Sequence, residues 1–279
     1  MRKVMKLWWL TLPLLAGCAS DNGEAQEIET DCAIVKMMFS PYQMEAMTRS
    51  VTSIASVVTR LDVWIVNGGD TIAAHQTSSD GNFGAVTATL DKRKTYTIYS
   101  VGHKAAGEAT LSNGVIAWPE EKVTHSMVYA STFTPGSTTA MNCEMKRIVG
   151  NFRVEVEDAV PNEVKRMEIH IGVSPTRWDV TNGGCSDQDR TANISIPNLA
   201  AGTVNLSTFI IAKDDMATNY TITVTAYDGN DQVVQARTFA DVPIRNGYKT
   251  TYRGQFFTDA AMSMAFMVDD WQEFNVVQF

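Results

Sequence analysis

Along this chain, apolar residues recur every second position far more often than every third or fourth. Runs rich in β-branched and aromatic residues appear at 32–39, 57–66, 85–90, 95–101, 122–132 and 148–156. They continue at 167–173, 204–212, 220–227, 233–239, 248–257 and 263–268. That period and composition predict strands. Turn signals separate many of them: Asn67-Gly68-Gly69, Asp80-Gly81-Asn82, Asn113-Gly114, Asn182-Gly183-Gly184, Asp228-Gly229-Asn230 and Asn246-Gly247. Gly and Asn accept the positive φ that tight hairpins need. In Thr221–Tyr227, Ile222, Val224 and Ala226 face one way and threonines the other, before a turn and a return strand.

Helix signals are few. Residues 44–56 contain the good formers Glu45, Ala46 and Met47, but a β-branched tail limits any helix there. Pro161 can open a single turn over 161–165. The pattern predicts an all-β protein of sandwich type. A boundary is expected near 141–150, giving sandwiches over 31–145 and 146–279, both of ordinary domain size.

The first residues follow another logic. Arg2, Lys3 and Lys6 precede a short apolar run, Leu7–Leu15, and then Ala16-Gly17-Cys18. A basic start, a brief apolar stretch and small residues make a secretory signal over 1–17. The stretch is far below the ~20 residues that span a bilayer. Leu15-Ala16-Gly17-Cys18 resembles the bacterial lipobox, which implies that Cys18 becomes the first mature residue and carries lipid. The plainer alternative is an ordinary signal peptide with Cys18 as a bystander. Residues 18–30 read as an acidic, flexible tether. Asp21 and Glu24 resemble the signal that sends lipoproteins to the outer face in some gut and oral bacteria. The expected location is therefore the surface of the outer membrane.

Composition narrows the chemistry. The chain has 279 residues and a formal net charge of −8, and removing the basic signal makes it more acidic. Nucleic acid is an unsuitable partner. Beyond Cys18 there remain Cys32, Cys143 and Cys185, which allow at most one disulfide, unassigned, or buried thiols. His75, His103, His125 and His170 show no metal-ligand spacing and read as core or solvent-facing residues. Asp187, Asp189, Asp214 and Asp215 supply too few oxygens locally for calcium. Asp269-Asp270 lacks an identifiable acidic partner for glycoside hydrolysis. Trp64, Trp118, Trp178 and Trp271 are carbohydrate-platform candidates, with core packing as the alternative. No catalytic motif is present, so no enzyme, metal or cofactor is expected.

Several segments carry a resemblance. They are Leu61–Asp70 (LDVWIVNGGD), Leu90–Tyr99 (LDKRKTYTIY), Met145–Val154 (MKRIVGNFRV) and Val242–Gly254 (VPIRNGYKTTYRG), closing on Val268-Asp269-Asp270-Trp271. With the lipobox and tether, this layout is similar to the fimbrillin superfamily of Bacteroides-type bacteria, and within it to fimbrial anchor or accessory subunits. The resemblance implies two tandem transthyretin-like, Greek-key sandwiches. It implies a lipid-anchored, non-catalytic subunit of a fimbria or pilus (anchor, tip or accessory) that supports adhesion. The implied partners are other fimbrial subunits, joined by strand exchange, and a host or bacterial surface ligand.

In such proteins a trypsin-like cut after the first strand frees a groove for a neighbour's strand. Carried onto this chain, the first strand is 32–39 and the cut follows Arg49, with Arg60 a less accessible candidate. The alternative for Arg49 is a plain loop arginine. Residues 272–279 alternate as one strand, short for a donor. Asp70-Thr71-Ile72 resembles an O-glycosylation acceptor of such bacteria, with Thr71 as the modified residue. The rival reading is a monomeric surface lipoprotein that binds glycan or protein.

Overall fold

Strands account for nearly all regular structure in the computed structural model, which describes residues 31–42, 53–195, 204–213, 217–258 and 263–267. In chain order the first nine are β1 (Cys32–Pro41), β2 (Arg60–Asn67), β3 (Asp70–Thr77), β4 (Ala85–Asp91), β5 (Tyr96–His103), β6 (Thr110–Ser112), β7 (Val115–Ala117), β8 (Met127–Phe133) and β9 (Ala140–Arg147). The remaining eight are β10 (Val149–Val156), β11 (Arg166–Asp179), β12 (Gly183–Ser195), β13 (Val204–Ile211), β14 (Thr218–Tyr227), β15 (Val233–Ile244), β16 (Lys249–Gly254) and β17 (Ser263–Met267). Two short 3-10 turns, Ile54–Ser56 and Pro119–Glu121, complete the set. The described residues form one compact unit.

The first sandwich is one sheet turned on itself, in the order β3-β2-β5-β8-β9-β1-β4. Only two residue pairs join β8 to β9, which makes that junction the corner. The layers β4-β1-β9 and β3-β2-β5-β8 enclose one apolar core. Val35, Met37, Leu61, Val63, Ile65, Leu90, Ile98, Cys143 and Met145 meet in it. Strand alternation explains how: on β1, Ala33, Val35, Met37 and Phe39 are buried while their neighbours are exposed or partly so.

The second sandwich packs the sheet β13-β10-β16-β17 against β15-β14-β11-β7-β6, with β12 paired to β11. Its core holds Phe152, Val154, Met167, Ile169, Leu206, Ile222, Val224 and Phe256. The hairpin β6–β7 comes from before residue 146, yet β7 pairs with β11 in this sheet. A third cluster, with Trp64, Val101, Ile116, Trp118, Ile148 and Ile211, gathers side chains from strands of both sandwiches.

Turn chemistry follows the sequence. Asn113 and Gly114 sit at φ 49° and 77° between β6 and β7, the signature of a primed hairpin turn. Asp228 Oδ1 accepts from the backbone N–H of Asn230 and of Gln232, closing the β14–β15 turn. Over 161–165 the chain makes one turn, with Val164 N–H donating to Pro161 O.

Candidate functional site

β1 is covalently first among the described strands but internal in its sheet. It pairs antiparallel with β4 from Cys32↔Asp91 to Met38↔Ala85, and parallel with β9 from Lys36↔Ala140 to Pro41↔Met145. Full burial of a Val, Met or Phe side chain contributes about 1.5–3 kcal/mol each. Val35 and Met37 are fully buried and Phe39 nearly so, its ring edge-on to Tyr129 of β8 at 6.3 Å. Removing β1 would bare a trough floored by apolar residues and walled by the unpaired edges of β4 and β9. Such edges accept an added strand: the main chain supplies affinity and alternate side chains set register.

The structure places some of the sequence candidates and leaves others outside. Cys18 and Arg49 lie outside the described residues, as do Trp271, Asp214, Asp215 and residues 272–279. Arg60 opens β2, paired with β3 and β5, and its side chain is 16% exposed. Its Nη1 donates to Ala106 O and its Nη2 faces Glu108 at 3.5 Å. Thr71 occupies an exposed position on the edge strand β3. Cys32, Cys143 and Cys185 are free thiols, and burial pushes Cys143 up to about 11.

Trp64 and Trp118 are buried in the third cluster and Trp178 packs against it, which is the packing role rather than an open platform. The acidic loop is already engaged: Asp187 pairs with Lys213 at 2.5 Å, and Asp189 accepts from Val173 N–H at 2.8 Å. Among the described residues no group of three or more His, Cys, Asp or Glu is arranged for a metal.

Sequence reading missed a polar cluster under the 104–109 loop. Asp62, fully buried on β2, takes His75 Nδ1 on Oδ1 and His103 Nε2 on Oδ2, both at 2.8 Å. Ala109 N–H also donates to Oδ2, at 2.9 Å. Ala105 N–H donates to His103 Nδ1, so the His103 proton sits on Nε2, pointed at the carboxylate. Burial favours the neutral acid, but the bonds from His103, Ala109 and His75 outweigh it and hold Asp62 below the usual carboxylate range. With both oxygens occupied, this cluster fastens the loop to β2. The signal available in sequence was one charge inside an apolar strand, Leu61-Asp62-Val63-Trp64-Ile65.

Residues 120–275 match a family described as a family of unknown function, DUF6562. No curated protein matches the chain in sequence. Among solved structures, a candidate adhesin from Bacteroides ovatus has a TM-score of 0.54 at 12% identity, covering 89% of this chain and 97% of that one. A candidate polysaccharide-binding protein (DUF1812) from Bacteroides thetaiotaomicron has a TM-score of 0.53 at 10% identity, covering 84% and 95%. A candidate adhesin from the same species has a TM-score of 0.52 at 11% identity, covering 86% and 99%. At these identities the likeness concerns the fold.

Proposed function

The chain belongs to the DUF6562 family of unknown function, and we propose that it is a lipid-anchored outer-membrane surface protein serving as a fimbria-like fibre subunit. Its role is anchor, tip or accessory subunit, joined to its neighbours by strand addition and supporting adhesion. One observation carries this reading: β1 is an internal strand of the first sheet, yet it comes first among the described strands, so a single cut after it would leave it held by pairing and packing alone. Arg49 follows β1 in sequence and is the proposed cut, which leaves Ser50 as the new first residue. Arg60 is held inside a paired strand and suits a protease less well. The fimbrillin resemblance and the fold shared with candidate adhesins support the reading. Lipid on Cys18 is the proposed tether of the uncut chain; a cut after Arg49 removes it together with β1, so an uncut β1 suits a subunit at the base of a fibre.

The test is protease treatment of protein recovered from the cell surface. Trimming after Arg49 should give SDS-resistant ladders whose members begin at Ser50. Protein that is trimmed there and stays monomeric would defeat strand addition. A Cys18 without lipid in a cytosolic fraction would defeat the surface placement.

A further inference from the structure

We propose that the outer edge of β3 docks a second copy of this chain, whose own β3 adds to it antiparallel about a two-fold axis. The contact uses the intact chain at the edge of the first sheet far from β1. It depends neither on a cut after Arg49 nor on lipid.

β3 ends the first sheet, and it pairs with β2 without a break from Arg60↔Thr77 to Asn67↔Asp70. Main-chain groups along such a strand point alternately to either side. Ser78 N–H donates to Thr59 O, so even-numbered residues here face β2. Thr77 faces the other way: its N–H donates to Asp80 Oδ2 at 2.7 Å, and its O accepts Asp80 N–H at 2.9 Å. In the same outward phase lie Thr71, Ala73 and His75, whose N–H and C=O groups have no partner among the described residues. All three positions are exposed.

Native sheets guard such edges with brevity, bulges, Pro or charge. β6 has only three residues. β15 has two register shifts and carries Arg237, Asp241 and Pro243. On β4, Ala85 O and Asp91 N–H are already taken, by Gln76 Nε2 and the Tyr96 hydroxyl. β3 lacks these guards: over 71–77 it is unbroken and carries no Pro, Lys, Arg, Asp or Glu.

Its own copy is the strand that fits. Pairing centred on Ala73 uses all three open positions, with Ala73 opposite Ala73 and Thr71 opposite His75 in both directions. The small Ala73 at the axis lets the two main chains approach. Ile72, 44% exposed, then lies opposite Ala74 of the second copy. Ile72 pairs with Ile65 and Ala74 with Val63, both in the core of the first sandwich, so the contact extends that core across the axis. Charge agrees with the antiparallel sense. Asp70, the strand's one carboxylate, meets Gln76, whereas parallel addition in register would set Asp70 beside Asp70. A two-fold contact between identical edges also closes, leaving neither free for further growth. One strand edge covers less than the ~1,200–2,000 Å² of a stable interface, so the dimer is a weak one.

The experiment is sedimentation velocity of the full chain over a concentration series, at low and high salt. The mass should double between low micromolar and about 1 mM chain. Added salt should favour pairing, because it screens two chains of net charge −8 that meet through nearly neutral strands. Ala73→Pro removes an outward N–H and no bond to β2, so it should weaken pairing by about tenfold or more with the unfolding midpoint little changed. Ile72→Lys, at an exposed position, should weaken it likewise. Thr87→Pro, on the edge strand β4, should leave it unchanged. Amide exchange of the peptide covering 70–77 should slow as concentration rises. A mass that stays monomeric to about 1 mM, dimers that survive both β3 substitutions, or growth past the dimer would each overturn the proposal.

Discussion

His103 Nε2 donates to Asp62 Oδ2 across 2.8 Å, and neither side chain has any exposure to solvent. A carboxylate in such a place is tolerable only while its acceptors are filled. His75, His103 and Ala109 fill them, and the same bonds fix the loop that leads into β6. Because β6–β7 joins the sheet of the second sandwich, Asp62 acts on contacts well beyond its own strand.

Asp62→Asn should therefore be costly. The amide keeps the shape but removes the charge and one acceptor: its oxygen can take over from Oδ2 toward His103 and Ala109, while its NH2 then faces His75 Nδ1. Breaking a buried charged contact costs roughly 3–5 kcal/mol. Urea unfolding of the full chain should show a lower midpoint by that order. A change under about 0.5 kcal/mol, the range of ordinary surface substitutions, would mean that the cluster contributes nothing to stability.

His125 sets an acid sensitivity. Burial, with Arg147 and Lys104 nearby, pushes its pKa down to about 3, and Arg147 Nε donates to its Nε2 at 2.7 Å. In the unfolded chain a histidine titrates near 6.5. Between about pH 6.5 and pH 3 the unfolded state thus holds a proton that the folded state refuses. Stability must fall as pH falls through that window, by at most about 1.4 kcal/mol per unit. Asp62 acts lower: its contribution is present above its unfolded value near 3.9 and is lost as pH drops through its depressed folded value. Unfolding free energy measured from pH 7 to pH 4 should slope less in His125→Gln than in the native chain. Equal slopes would exclude His125 as the cause.

What could be read in advance divides along physical lines. Strands with one buried face announce themselves, as β1 and β14 do, because burial imposes a period of two. β3 and β12 escaped notice: Asp70–Thr77 is an exposed edge strand, and Gly183–Ser195 pairs, among the described residues, with β11 alone. An edge strand needs little apolar alternation, so it leaves little in the sequence. β9 falls where a boundary was expected, although Cys143 and Met145 alternate correctly. The Asp62 cluster was unreadable for another reason. His75 and His103 lie 13 and 41 residues from Asp62, and only sheet register brings them together. Membership of the 31–145 and 146–279 halves is likewise decided by pairing, as β7 shows.

Gly183 gives a sharper test of turn chemistry. It holds φ +88°, and a Cβ there would sit 2.2 Å from Lys213 O. Backbone cannot yield as a flexible side chain can, and the φ is itself unfavourable for an L residue. Gly183→Ala should cost at least 1–3 kcal/mol by the strain alone, whereas Gly68→Ala, with φ +57° and open space around it, should cost less. Paired thermal melts decide the matter. If both variants melt alike, close approach to Lys213 is not what the site requires.

Cys143 reports on the trough beneath β1. It sits on β9 opposite Phe39, fully buried, and its thiol is pushed up to about 11 by burial, despite a hydrogen bond with Tyr129 that works the other way. Since thiolate is the reactive form, the intact protein should protect Cys143 twice, by cover and by protonation. Cys32 is exposed and provides the internal reference. Iodoacetamide labelling with peptide mapping by mass spectrometry should find Cys32 modified quickly and Cys143 hardly at all. After cleavage following Arg49 and release of β1, the cover is gone and burial no longer suppresses the thiolate. Labelling of Cys143 should then accelerate by at least about tenfold, because each unit of pKa lowered toward the unperturbed ~8.5 multiplies the thiolate fraction by ten. Addition of a peptide of sequence Cys32–Pro41 should restore the protection. Rapid labelling of Cys143 in the uncut protein, or unchanged protection after β1 has left, would show that β1 does not cover this part of the core.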